Sequence, residues 1–175
     1  MRTLRNCLSV VLGVAAAVLV AAGAGPDPAK GAPQAKEQAY EANFECAIPA
    51  GSANCAVAAD KEIPAGKRLR VESIKARIVM PTATKTAFEF YMELGDPSAP
   101  GGVQAIHVVP EAAGKTEGGF YNIYAANEKV QAFAYRTASY PAPKVHLENP
   151  SGDPMHLQNG TIQDGVSSGF LVDMN

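Results

Sequence analysis

Few residue patterns in this chain could carry chemistry, and each can be tested against what that chemistry requires. Gly165-Val166-Ser167-Ser168-Gly169 has the G-x-S-x-G spacing of a nucleophile elbow. An elbow needs a helix after its serine, then an acid and a histidine further along the chain. The residues after Gly169 contain no histidine and read as a strand, so this segment is expected to be a tight bend before the last strand. Gly114-Lys115-Thr116 imitates the end of a phosphate-binding loop, but the leading glycine of that motif would fall at Val109. With Phe120 to Tyr124 continuing as a strand, a solvated loop is expected there.

Acids and histidines are next. Glu89 and Glu93 share a strand face, yet four extended residues place them about 13 Å apart. Glycosidase carboxylates sit roughly 5–9.5 Å apart, so these two are not such a pair, while acids on neighbouring strands still could be. The histidines are His107, His146 and His156. The last two could meet across a hairpin with Glu148 or Asp153 as a third ligand, but lone histidines on short strands read first as surface or structural residues. Asp96, Asp153 and Asp164 lie in Gly/Pro-rich turns, where calcium is often held by carboxylate and carbonyl oxygens. No run has the spacing of a calcium loop. We therefore assign no catalytic residue, no metal and no cofactor, with calcium the one cation left open. Asn159-Gly160-Thr161 has the form of a glycosylation sequon and reads as a turn.

Four tyrosines cluster late: Tyr121, Tyr124, Tyr135 and Tyr140. Rigid amphipathic rings can stack on sugars or anchor a protein partner, which makes these four the candidate ligand surface. The plain alternative is half-buried strand residues with wet hydroxyls. The chain has no Trp, which disfavours a flat sugar platform. Arg68, Arg70, Lys75 and Arg77 form a basic stripe that reads as an ion-paired sheet surface facing Glu89.

The compartment follows from the beginning of the chain and from its cysteines. Arg2 and Arg5 precede the uncharged apolar run Leu8 to Ala22, and Ala22-Gly23-Ala24 supplies small residues for cleavage. That order is the one a secretory signal peptide has. The apolar run is shorter than the roughly 20 residues of a membrane-spanning helix. Residues 1–24 are thus expected to be a signal peptide, and the protein to be secreted, extracellular or periplasmic, with no transmembrane segment after cleavage. Cys7 leaves with the signal, so Cys46 and Cys55 have only each other, and an oxidising compartment lets that disulfide persist. Losing Arg2 and Arg5 takes the formal charge from −2 to −4. No basic cluster is large enough to follow a phosphate backbone, so a nucleic-acid partner is excluded.

The elements that must position these residues are short and extended. Of 175 residues, 16 are Gly and 13 are Pro, which breaks the chain often without making it low in complexity. Residues 25–39 read as a flexible Pro/Ala/Gly leader. From Tyr40 onward, short alternating segments are bounded by Gly, Pro, Asn and Asp, and no stretch holds a helical period. The expected strands are Tyr40–Ile48, Lys67–Met80, Thr86–Leu94, Val103–Val109, Phe120–Ala125, Lys129–Arg136, Val145–Glu148, Met155–Gln158 and Gly165–Met174. Asn159-Gly160 reads as a two-residue hairpin turn. Residues 40–175 are therefore expected to form one all-β domain, a two-sheet antiparallel β-sandwich of jelly-roll or Ig-like type with about eight strands. In Lys67–Met80 the apolar phase changes from odd (Leu69, Val71) to even (Ile74, Ala76, Ile78, Met80), which requires a β-bulge near Glu72-Ser73. Pairing that strand antiparallel with Thr86–Leu94, so that Ile78 faces Phe88, Ala76 faces Phe90 and Arg77 faces Glu89, satisfies both faces at once. Ile-Pro-Ala-Gly occurs at 48–51 and at 63–66, each read as a type I turn with Pro second and Gly fourth.

Ile63-Pro64-Ala65-Gly66-Lys67-Arg68-Leu69-Arg70-Val71-Glu72, with the closing Gly169-Phe170-Leu171-Val172-Asp173, resembles a pattern in uncharacterised secreted bacterial proteins of similar size. The resemblance implies a bacterial source, a signal peptide and a β-sandwich, and carries no activity and no site residues. The functional expectation is a non-enzymatic binding or interaction module at or outside the cell envelope, its partner an extracellular protein or a glycan. The alternatives are a small exported hydrolase of carbohydrate-active type and a structural or adhesive subunit that assembles edge to edge.

Overall fold

Alternation decides which way each strand faces. In β1 (Gln38–Ala47), Tyr40, Ala42 and Phe44 are buried and the residues between them exposed, because successive side chains leave opposite sides of an extended backbone. In β4 (Glu89–Gly95) the buried set is Phe90, Met92 and Leu94. The other strands are β2 (Asn54–Ala58), β3 (Lys67–Pro81), β5 (Val103–Val108), β6 (Glu111–Lys115), β7 (Tyr121–Tyr135), β8 (Lys144–Glu148) and β9 (Thr161–Asp173). This is a computed structural model, and it describes residues 36–82, 87–149 and 160–174.

The strands form two antiparallel sheets, ordered β1-β9-β3-β7-β6 and β2-β8-β4-β5. Their inner faces close on one core, in which Leu69, Ile74, Ile78 and Met80 of β3 lie with Phe90, Met92, Leu94 and Leu147 of the opposite sheet. Each such side chain contributes about 1.5–3 kcal/mol by leaving water. The expected two-sheet β-sandwich of about eight strands is the fold, with nine strands among the described residues. β1 begins two residues before Tyr40. The strands expected at 120–125 and 129–136 merge into the single strand β7 (Tyr121–Tyr135), and β2 and β6 are strands that the sequence pattern did not indicate. The expected strand at 155–158, Asn159 of the hairpin signal, and His156 and Asp153 lie outside the described residues.

The phase change in β3 is a bulge. Its register breaks between Val71 and Ser73 against both neighbours, β7 and β9. The expected β3–β4 hairpin pairing is not formed: β3 pairs with β7 and β9, and β4 pairs with β5 and β8 in the other sheet. Facing apolar rows satisfy the same parity whether two strands lie side by side or stack across a core, and here they stack. The two Ile-Pro-Ala-Gly turns also differ from expectation. Ser52 N–H donates to Pro49 O and Lys67 N–H to Pro64 O, so glycine is the third residue of each turn. Gly51 and Gly66 have φ of +79° and +75°, the third-position geometry of a type II turn and one that glycine adopts without strain.

A second bulge lies in β9, where Asp164 has φ +51° and the register against β1 breaks between Phe44 and Cys46. The G-x-S-x-G segment is therefore part of a central strand, with its bend inside β9 rather than before it. Cys46 of β1 and Cys55 of β2 form the expected disulfide. Because β1 and β2 belong to different sheets, this bond staples one layer to the other. Closing a loop near ten residues stabilises by about 2.5–3 kcal/mol on the chain-entropy account.

Candidate functional site

The β3 bulge shapes the outer face of the five-stranded sheet. Across one step of the ladder, β9 advances one residue (Gly169 to Ser168), β3 two (Val71 to Ser73) and β7 three (Ala132 to Lys129). Unequal steps break the regular rows of side chains and re-aim those beside them. A groove of about 770 Å³ lies there, lined by Glu72, Ser73, Lys75, Asn127, Lys129 and Gln131, with Ser168 closing it. The Ser73 and Ser168 hydroxyls are hydrogen-bonded to each other at 2.7 Å.

The cations of this face fall into two groups. Arg70 holds Glu37 (2.8 Å) and Glu72 (2.9 Å), and Lys67 holds Asp173 at 3.2 Å. Arg68 lies over the Phe133 ring, 4.5 Å from its centroid. Lys75, Arg77 and Lys129 have no ion-pair partner among the described residues. The expectation of an ion-paired stripe thus holds only in part, and Glu89, the partner expected for Arg77, is on the other sheet. By register Glu111 of β6 lies beyond Ala125, two strands from Arg77.

A second pocket, of about 480 Å³, adjoins Arg77. It is lined by apolar Ala47, Ile48 and Val79 and by Thr116, Tyr121, Thr161 and Gln163. Thr116 Oγ1 accepts the backbone N–H of Tyr121 at 3.3 Å, which fixes where the ring starts. Thr161 Oγ1 is buried without a hydrogen-bond partner among the described residues. Phe120, next to Tyr121, is 74% exposed.

The four candidate tyrosines are dispersed. Tyr121 and Tyr135 stand at opposite ends of β7, about 45 Å apart along the strand. Tyr124 points inward and meets Phe88 edge-on, with centroids 5.0 Å apart. Tyr140 lies in the loop between β7 and β8, and its hydroxyl donates to Glu93 Oε2 on the other sheet at 2.9 Å.

Around Tyr140 the outer face of the four-stranded sheet carries a network that the sequence did not reveal. Register puts Tyr91 directly opposite both His107 and His146. Its ring stacks on His146 at 4.7 Å and on His107 at 5.2 Å. Glu93 Oε2 also meets His146 Nε2 at 3.0 Å, and the Lys144 ammonium covers the Tyr140 ring at 4.4 Å. Burial, and then the Glu148 carboxylate, push the Tyr91 phenol up to about 12. Glu89 and Glu148 are cross-strand partners, so their Cβ atoms are about 4.5–5.5 Å apart. Among the described residues no group of three or more His, Cys, Asp and Glu side chains is arranged to hold a metal, and no helix is long and apolar enough to cross a membrane.

No family model, curated protein or solved structure matches this chain. The functional reading therefore rests on the side chains themselves. The sequence located the bulge, the basic stripe and Tyr121. It could not separate paired from unpaired cations, because Glu37 and Asp173 reach Arg70 and Lys67 only through the pairing of distant strands.

Proposed function

We propose that the chain is an exported, non-enzymatic binding module that engages an anionic extracellular partner through the outer face of its five-stranded sheet. One observation carries this reading. Lys75, Arg77 and Lys129 line two adjoining grooves without carboxylate partners, in a chain whose formal charge is −2. Unpaired cations on a face of an otherwise acidic protein concentrate field at that face and steer anions to it. The inter-sheet disulfide supports an oxidising compartment.

Affinity electrophoresis of the purified protein through gels holding dextran sulfate or neutral dextran tests the proposal. Retardation is expected with dextran sulfate alone, weakening as salt rises. It should be lost in the K75Q/R77Q/K129Q triple variant. Equal mobility in the two gels would remove the reading.

The hydrolase alternative has one observation in its favour, the cross-strand pair Glu89 and Glu148. Directly opposed residues on neighbouring strands can bring two carboxyl groups within the range that glycosidases use, but both acids stand on the sheet opposite the two grooves. Hydrolysis of a polysaccharide that is abolished in both E89Q and E148Q would establish the alternative.

A further inference from the structure

We infer that the pocket bounded by Arg77, Tyr121 and Thr161 binds one uronic-acid unit of an acidic polysaccharide, the rest of which follows the basic stripe along β3. This inference rests on the binding reading above and adds the class of ligand.

The pocket has the parts that such a unit requires. A pyranose ring bearing a carboxylate presents C–H groups on its faces, hydroxyls around its edge and one negative charge. Ala47, Ile48 and Val79 give the lining an apolar part that suits the C–H face. Tyr121 is 36% exposed, and its amphipathic ring can cover the opposite side of the sugar. Gln163, Thr116 and Thr161 offer amide and hydroxyl groups to the ring hydroxyls. Of these, the Thr161 Oγ1 has no hydrogen-bond partner among the described residues.

Arg77 decides for a carboxylate. A guanidinium offers two parallel N–H donors that match the two carboxylate oxygens, whereas an ammonium acts as a point charge. No protein carboxylate among the described residues occupies that fork. The pocket volume of about 480 Å³ is within the roughly 300–1,000 Å³ of small-molecule sites. The pocket also opens onto a sheet face, so a polymer can pass through it. Lys75 lies two residues along the same face of β3, about 6.6 Å away. Lys129 lies in the next row, opposite Ser73. A chain carrying a charge on every unit meets these cations in turn, and a single sugar acid meets one of them.

The test is titration calorimetry of the full protein with polygalacturonate and with its fully methyl-esterified form, which differ in charge and little in shape. Polygalacturonate should bind, and esterification should weaken binding by at least about tenfold, the scale of one lost charge-assisted contact. R77Q and Y121A should each weaken polygalacturonate by about tenfold or more while the circular-dichroism melt is unchanged. R77K, which keeps the charge and loses the fork, should also weaken it and serves if R77Q does not fold. Equal binding of the ester, or undiminished binding by R77Q and R77K, overturns the inference. If dextran sulfate is still retained and the triple variant still loses it, the anionic face stands and only the uronate pocket falls. If neither polyanion binds, both readings fall together.

Discussion

Tyr91 and His146 lie face to face on neighbouring strands, their ring centroids 4.7 Å apart and their planes 3° from parallel. The contact follows from the β4–β8 register, which sets the two residues directly opposite. Glu93, two residues along the same face, then holds the imidazole edge and the Tyr140 hydroxyl with one oxygen. A double-mutant cycle of Y91L and H146L should give a coupling of about 0.5–1.5 kcal/mol in denaturant unfolding. A coupling near zero would mean that the rings are merely adjacent. Glu93→Gln should cost about 1–2 kcal/mol, since the amide can still accept from Tyr140 but loses the charge-assisted contact with His146.

Alkaline pH provides a second check. The Tyr40 phenol, buried and donating to Lys61 O at 2.6 Å, is pushed up to about 12 by burial and then by the Asp60 carboxylate. Tyr91 reaches about the same value. In the unfolded chain both ionise near 10. Above that pH the unfolded state releases protons that the folded state keeps, so stability falls as pH rises. The contribution of both phenols is fully present below about pH 10 and lost through about pH 12. Unfolding free energy should therefore drop between about pH 10 and about pH 12, and the drop should shrink in Y40F and Y91F. Phenolate absorbance should show at least two of the 6 tyrosines titrating late.

How far the sequence discloses the fold depends on which physical signal each element carries. Tyr40, Ala42 and Phe44, like Phe90, Met92 and Leu94, carry burial in their alternation, and the odd-to-even switch after Val71 carries the bulge. β6 carries nothing comparable: Glu-Ala-Ala-Gly-Lys is exposed throughout, so it is a strand only because β7 offers it a free edge. β2 is short and built mostly of small residues, and it is held by Cys55 and by β8. Asn127 to Lys129 look like a break in β7 because all three are exposed, yet the ladder to β3 runs through them. The site was legible as residue types and illegible as an arrangement. Tyr91 with its two histidines joins three strands, and no spacing within one strand signals such a cluster.

The disulfide yields a prediction that separates its two effects. C46A/C55A should lower unfolding free energy by about 2.5–3 kcal/mol if loop closure is all that it provides. Cys55 is also buried in the core, at 7% exposure, so truncation to alanine adds a small packing loss. Reduction without truncation keeps the side chains and isolates the cross-link. The reduced wild type should therefore melt above C46A/C55A and below the oxidised protein.

Gly165 is the position at which sequence, bulge and core meet most tightly. A Cβ there would stand 2.3 Å from atoms of the Phe44 ring and 2.4 Å from the Phe44 carbonyl oxygen. Phe44 cannot simply withdraw, because its ring spans the core toward Phe90 of the other sheet, 6.4 Å away between centroids. Gly165→Ala should therefore destabilise by about 2–3 kcal/mol, the upper range for forced overpacking. Gly51→Ala, at φ +79° but with open space around the added carbon, should cost about 1–2 kcal/mol from the left-handed backbone alone. The two substitutions separate crowding from backbone strain. Adding F44L to G165A removes the ring contact but leaves the carbonyl in place, so it should restore only part of the loss. Full rescue would locate the conflict in the ring alone, and no rescue would locate it in the β1–β9 backbone.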